Sequence, residues 1–235
     1  MPSQTSHRLL IYHSDSKIYE EILLKKLPQS KIHSAVHPKE AIDFIEGAEI
    51  ILSWRIPDGL LKRAKNLQWF ASIAAGNEGL VQNPHLQKSV IFTKATVYGE
   101  MMAEYVFAYL LYFNRNVAKH LKDQRKRVWD RVRPGRLRGE VLGILGLGSV
   151  GKEIAKRGKQ FGMRVLGVKR VPGSVENVDQ VFRPDDLGKM IPQVDYLINV
   201  LPLTPETYHL LGEKELSLMK EGAFLFSMGR GKTID

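Results

Sequence analysis

Three short stretches of this chain carry residue types whose spacing serves chemistry. The first is Gly146-Leu147-Gly148-Ser149-Val150-Gly151. It follows the apolar run Val141-Leu142-Gly143-Ile144-Leu145, expected to be a buried strand. It precedes a helix expected over 152–161 and a strand over 163–168. In that strand–turn–helix–strand setting a GxGxxG pattern is a strong signal for a bound dinucleotide. Gly146 permits the tight turn, Gly148 lets the backbone approach a pyrophosphate, and Gly151 lets helix and strand pack closely. The helix N-terminus then offers free N–H groups and its positive dipole end to the anion, with Ser149 and Val150 expected to bind the cofactor beside the glycines.

The second stretch is Lys169-Arg170, at the end of the next strand. Sites for NAD usually place Asp or Glu there to bind the ribose hydroxyls, and here no carboxylate appears before Glu176. Two cations attract a 2′-phosphate, and Arg can hold it through two donors. NADP(H) is therefore expected over NAD(H), with NAD possible; the alternative is that both side chains point to solvent and either cofactor binds. The third stretch is Ser227-Met228-Gly229-Arg230-Gly231, after another expected strand.

These residues need elements to position them. Up to about residue 98 the chain alternates short β-rich runs, at 9–12, 31–35, 50–53, 69–73 and 90–93, with helix-period segments. Ser16 is expected to cap a helix with Ile18, Ile22, Leu23 and Leu27 on its apolar face. Pro38 opens a second helix and Pro57-Asp58 a third. Alternation of this kind implies a parallel sheet with right-handed crossovers, here an α/β, flavodoxin-like N-terminal domain over 1–98. A long helix is expected over 99–116. It is apolar nearly all round, through Met101, Met102, Ala103, Tyr105, Val106, Ala108, Tyr109, Leu110, Tyr112 and Phe113, and is expected to lie buried between domains or subunits. A second alternating unit begins at Glu140, with strands at 180–183, 195–201 and 223–227 and helices at 184–191 and 213–220. This is a doubly wound Rossmann domain over 99–235, whose ligand crevice lies at the carboxyl ends of its strands. Leu201, Pro202 and Thr207 are expected to flank the adenosine. Met228, Gly229 and Arg230 are expected near the nicotinamide.

Composition narrows the alternatives. The chain has 235 residues, 43% hydrophobic and 26% charged, and no cysteine. Disulfides, thiol catalysis and Cys-zinc sites are excluded, no metal site is expected, and a cytoplasmic enzyme is the plain reading. No apolar run is long enough for a membrane span. The net charge of +10 could suggest nucleic acid, but ten Lys/Arg and two Asp between Arg115 and Arg138 account for +8 of it. That local arm reads as a solvated helix and loop, with a polyanion-binding arm and a subunit-contacting arm as alternatives.

The motifs in their order resemble the D-isomer-specific 2-hydroxyacid dehydrogenases. The resemblance rests on the 143–151 glycine turn, Leu201-Pro202-Leu203-Thr204-Pro205-Glu206-Thr207, and Gly229-Arg230-Gly231 with Ile234-Asp235. Ala74-Ala75-Gly76-Asn77 resembles the loop whose N–H groups hold the substrate carboxylate, which makes Ala75 and Gly76 substrate-binding. Ala103-Glu104-Tyr105-Val106 with Arg115-Asn116 resembles the helix that joins the family's dimer. The basic cofactor position and Leu67-Gln68-Trp69-Phe70 look nearest to the NADPH-dependent glyoxylate/hydroxypyruvate reductase branch.

The resemblance implies hydride transfer between NAD(P)H and C2 of a small 2-keto or 2-hydroxy acid. Arg230 would pair with the substrate carboxylate and polarise its carbonyl, and a His supported by a Glu would supply the proton. In the family both stand later than the Arg, and this chain reaches only Asp235. Its seven histidines all precede Arg230. His209 alone is expected near the crevice, on the wrong side. The Rossmann domain is thus expected to be incomplete at its C-terminal end, with an open sheet edge, and the 235 residues to be a poor catalyst or none. A nucleotide-binding sensor without catalysis is the alternative reading.

Overall fold

The computed structural model describes residues 6–171 and 173–235. The chain divides into two compact units, Met1–Ala95 and Thr96–Asp235.

In the first unit five strands, β1 (Arg8–Tyr12), β2 (Lys31–Ala35), β3 (Ile50–Ser53), β4 (Trp69–Ser72) and β5 (Ile91–Lys94), form one parallel sheet in the order β2-β1-β3-β4-β5. This is the flavodoxin-like order expected from the alternation. The connecting helices are α1 (Ser16–Lys26), α2 (Pro38–Ile45), α3 (Asp58–Leu61) and α4 (Glu78–Val81). Leu10, Ile51 and Phe70 from the three central strands are fully buried against Ala41 and Ile45 of α2 and Leu60 and Leu61 of α3. Each large apolar side chain so removed from water stabilises the fold by about 1.5–3 kcal/mol.

The expectation for α1 is corrected in two respects. Ser16 is its first residue rather than its cap; Asp15 holds the cap position without a side-chain hydrogen bond. Ile18, Ile22 and Leu27 are exposed. The face turned to the sheet carries Glu20, whose carboxylate accepts the Ser34 hydroxyl at 2.7 Å. A polar tether to β2 fixes the helix rotation that the apolar spacing alone placed differently. The helix α4 was not foreseen, because one turn offers too little periodicity to read.

In the second unit β6 (Val141–Leu145), β7 (Arg164–Val168), β8 (Gln180–Phe182), β9 (Tyr196–Asn199) and β10 (Phe224–Ser227) are all parallel, in the order β10-β9-β6-β7-β8. That is a doubly wound order reversing direction between β6 and β9. The helices are α5 (Gly99–Asn114), α6 (Val117–Lys126), α7 (Ser149–Gln160), α8 (Leu187–Met190) and α9 (Glu213–Ser217). The helix expected over 184–191 is instead one turn of α8 between two 3₁₀ turns, Pro184–Asp186 and Ile191–Gln193, with a proline first in one and second in the other. At the amino ends of the strands Asp195 accepts the Val141 N–H and the Lys220 ammonium, each at 2.7 Å, tying β6, β9 and β10 together.

The long helix also differs from expectation. It ends at Asn114; Asn116 is left-handed, with φ 52°, and turns the chain into α6. Only one side of α5 is buried within its unit, through Ala103, Val106, Phe107 and Leu110. Met101, Tyr105, Tyr109, Tyr112 and Phe113 are exposed. Apolar residues all round the helix therefore divide between a core face and an uncovered aromatic face. The basic segment forms α6, with no buried residue, and an irregular stretch after it. Among the described residues no helix is long and apolar enough to cross a membrane.

Candidate functional site

The glycine turn lies at the carboxyl end of β6, beside the point where the strand order reverses. Gly146 has φ +102°, a conformation that an L side chain rarely adopts. The helix begins at Ser149, three residues earlier than expected, with Gly148 in its cap position. Ser149, Val150 and Gly151 are thus its first turn, whose N–H groups have no carbonyl within the helix to donate to.

Each glycine has a separate physical reason. A Cβ on Gly151 would stand 1.9 Å from the Gly146 carbonyl oxygen, so helix and turn could not close. A Cβ on Gly148 would meet nothing within 4 Å. The protein's own packing does not demand glycine there, whereas a pyrophosphate approaching the backbone does. This bare, open turn above the positive end of a twelve-residue helix fits a dinucleotide.

Lys169 and Arg170 follow β7 directly. The Lys169 N–H donates to the Phe182 carbonyl at 3.1 Å, which fixes the backbone, while the Arg170 side chain is exposed. The loop after β9 is folded by one hydroxyl: Thr207 Oγ1 donates to Pro202 O at 2.6 Å and accepts the Thr204 N–H at 2.8 Å. This brings Glu206 within electrostatic reach of Arg170. A hydrogen bond from Thr204, its own backbone N–H and the Arg170 charge hold the Glu206 carboxyl below its usual range. Leu201, Pro202 and Thr207 therefore share one loop on the Arg170 side.

Arg230 stands after β10, and the residues that fix its turn were missed in the sequence. Asn199, fully buried at the end of β9, accepts the Met228 and Gly229 N–H groups on its carbonyl at 2.9 and 3.1 Å. Its side-chain Nδ2 donates to Ser227 Oγ at 3.1 Å and Thr233 Oγ1 at 2.7 Å, and its Oδ1 accepts the Leu201 N–H at 3.2 Å. Thr233 Oγ1 donates in turn to the Arg230 carbonyl at 2.6 Å. One side chain thus joins the loop of Leu201 and Pro202 to the turn of Met228, Gly229 and Arg230. Gly229 allows that approach, since a Cβ there would lie 2.4 Å from Leu201 O. An amide ending the apolar run Tyr196-Leu197-Ile198 was the signal available. Arg230 itself is exposed, with Nη1 donating to Gly229 O at 3.1 Å.

His209 adopts a left-handed conformation, stacks on Tyr208 at 3.9 Å, and places Nδ1 3.0 Å from an Asp235 carboxylate oxygen. In the first unit Ala75 and Gly76 follow β4. Their loop is pinned by Ser72, which bonds Asn77, and by Asn77 Nδ2 donating to Ala74 O at 3.0 Å. Among the described residues no group of three His, Cys, Asp or Glu side chains is placed to hold a metal ion.

Residues 107–235 match the family model for the NAD binding domain of D-isomer specific 2-hydroxyacid dehydrogenases. A glyoxylate reductase of Pyrococcus horikoshii is 30% identical over 96% of this chain, which spans 66% of that protein's length, just under two thirds. A solved D-isomer specific 2-hydroxyacid dehydrogenase family protein of Aeromonas salmonicida superposes with a TM-score of 0.89 at 35% identity, covering 98% of this chain and 75% of the other. A D-isomer specific 2-hydroxyacid dehydrogenase of Xanthobacter autotrophicus, solved with NADPH and MES, gives 0.87 at 26% identity with the same coverage.

Proposed function

This chain belongs to the D-isomer specific 2-hydroxyacid dehydrogenase family, and from that premise we propose that its two units serve NAD(P)H-dependent reduction of a small 2-keto acid. The observation that carries the reading is the Asn199 junction, which fastens the Arg230 turn to the loop beside the reversal point of a sheet whose glycine turn is built for a pyrophosphate. When bound, the cofactor supplies the hydride to C2 of the keto acid. The first-turn N–H groups of Ser149, Val150 and Gly151 hold the pyrophosphate. Arg230 pairs with the substrate carboxylate and polarises the carbonyl, which stabilises the charge developing on its oxygen. In the first unit the loop of Ala75 and Gly76 is substrate-binding in this reading, through its N–H donors. Domain limits of 1–98 and 99–235 go with this division of labour.

The preferred cofactor is NADP(H), supported by Lys169 and Arg170 in place of a ribose-binding carboxylate, and by the related Xanthobacter structure that carries NADPH. The protein acts as a homodimer in this reading, a second copy covering the exposed aromatic face of α5. A cytoplasmic location goes with the cysteine-free composition.

We further propose that these 235 residues alone bind the cofactor without efficient turnover. No histidine stands beyond Arg230, and His209 is engaged with Asp235 and Tyr208. General acid catalysis contributes a factor of about 10²–10⁴. The test is NADPH and NADH binding by fluorescence, alongside oxidation of each with glyoxylate, hydroxypyruvate and pyruvate, using Arg230→Ala as control. Binding with negligible turnover is the expected result. Turnover lost in the control would place a proton donor within these residues. Binding with no turnover in any longer form of the protein would favour the sensor reading.

A further inference from the structure

The first unit carries a cleft at the end of its sheet opposite the Ala75–Gly76 loop. It measures about 760 Å³ and is lined by Arg8, Lys31, Glu49, Lys65, Asn66 and Gln68, with Gly47 in its floor. These residues stand at the amino ends of β1, β2, β3 and β4, whereas Ala75 and Gly76 follow the carboxyl end of β4. A strand of four to five residues separates the two ends by roughly 13–16 Å.

The charges here are arranged against ordinary folding preference. Arg8 and Lys31 are register partners on adjacent strands, so two cations stand side by side. Like charges directly opposite one another in a sheet are destabilising. Lys65 adds a third cation from the loop before β4. The only carboxylate among the described lining residues, Glu49, already accepts the Arg8 N–H at 3.0 Å and meets His7 Nδ1 at 3.3 Å. The neighbouring Glu46 is paired with Arg63 at 2.8 Å. Three cations thus face one committed carboxylate.

Arg8 is also held in place rather than left to wave in solvent. Its guanidinium carbon lies 4.5 Å above the centre of the Phe44 ring, and its Nε is buried without a hydrogen-bond partner. A Cβ on Gly47 would stand 2.9 Å from that Nε, so a glycine is what lets the guanidinium lie flat there. The strand-end N–H groups are consumed: Lys31 donates to His7 O, Glu49 to Arg8 O and Trp69 to Glu49 O. Recognition must therefore come from side-chain cations.

We propose that this cleft is a second ligand site, taking a small phosphate ester as its dianion. The net lining charge of three cations and one carboxylate matches two negative charges. A planar, fixed guanidinium suits a phosphate oxygen pair. The volume exceeds a bare phosphate and leaves room for a short hydroxylated body beside the amides of Asn66 and Gln68.

The experiment is calorimetric titration of the 235-residue chain with glycerol 1-phosphate, inorganic phosphate and malonate. Three variants accompany it: Lys31→Ala/Lys65→Ala, Arg8→Gln, and Arg170→Ala as control for phosphate held where the 2′-phosphate of the cofactor is proposed to bind. Both lysines are exposed, so the double variant retains the fold, checked by its melting curve. The expected result is tightest binding of glycerol 1-phosphate, weakened at least tenfold by the double variant and by Arg8→Gln, and unchanged by Arg170→Ala. Malonate binding as tightly as the ester, or inorganic phosphate binding more tightly, would overturn the ligand class. No binding, or binding indifferent to the lysine changes, would overturn the site.

Discussion

Asn199 Nδ2 lies 2.7 Å from the Thr233 hydroxyl, with both side chains fully shielded from solvent. Through this bond the end of β9 fixes the turn after β10 that carries Arg230. A buried donor or acceptor left unpaired costs about 1–3 kcal/mol. Asn199→Ala is expected to lower the free energy of unfolding by that order in urea melts. Thr233→Val keeps the shape while removing the hydroxyl, and is expected to cost the same order, since it leaves one of the two Asn199 Nδ2 hydrogens unpaired, Ser227 Oγ holding the other, and the Arg230 carbonyl with one donor fewer.

The glycine turn separates a packing role from a binding role. Gly151→Ala forces a methyl to within 1.9 Å of the Gly146 carbonyl. It is expected to lower the melting temperature and abolish cofactor binding together. Gly148→Ala meets no protein atom. It is expected to melt near the wild-type temperature yet bind NADPH at least tenfold more weakly, measured by fluorescence titration. Equal binding by wild type and Gly148→Ala would sink the pyrophosphate assignment.

Cofactor choice is expected to follow Arg170. A charge-assisted hydrogen bond is worth about 1.5–3 kcal/mol, and 1.4 kcal/mol is tenfold in affinity. Arg170→Ala should raise the Kd for NADPH by tenfold or more and leave that for NADH within about twofold. Equal losses for both would place the side chain away from a 2′-phosphate.

Acid should loosen the first unit through Glu40. Its carboxylate accepts the Val36 N–H at 2.7 Å and the His37 N–H at 3.2 Å at the start of α2. The Val36 bond first, then that of His37, lowers its pKa below the ordinary value of 4.5. A carboxyl with a depressed folded value contributes stability above its unfolded value and loses it as pH falls through the folded one. Urea midpoints should therefore decline as pH drops from about 5, and Glu40→Gln should flatten that decline. A variant with an unchanged slope would remove Glu40 from the account.

The aromatic face of α5 continues onto β10, with Tyr109 5.7 Å from Phe226 and Phe113 5.5 Å from Phe224. Tyr105 and Met101 lie exposed beside it. Tyr105→Glu combined with Met101→Glu is expected to shift the sedimentation coefficient from dimer to monomer without changing the circular dichroism. A wild-type chain that sediments as a monomer across the micromolar range would count against a second copy on this face.

Both sheets and the glycine turn are legible in the sequence, because each depends on local pattern. Alternating apolar runs and helix-period segments place parallel strands, and the 2-1-3-4-5 and 3-2-1-4-5 strand orders follow familiar connection rules. Gly146 and Gly151 are legible because only glycine tolerates the φ of the turn or the crowding behind it, and Gly148 because the GxGxxG spacing places it between them. The rotation of α1 comes only from the fold, which sets Glu20 against Ser34 of β2 and leaves Ile18 and Ile22 exposed. The fold alone divided α5 into a core face and an exposed one, because hydrophobicity all round a helix says nothing about what covers each side. It alone also revealed Asn199 and Thr233 as partners, and Arg8 beside Lys31. Residues 34 or 23 positions apart meet only once strands are in register, and no local period encodes that pairing.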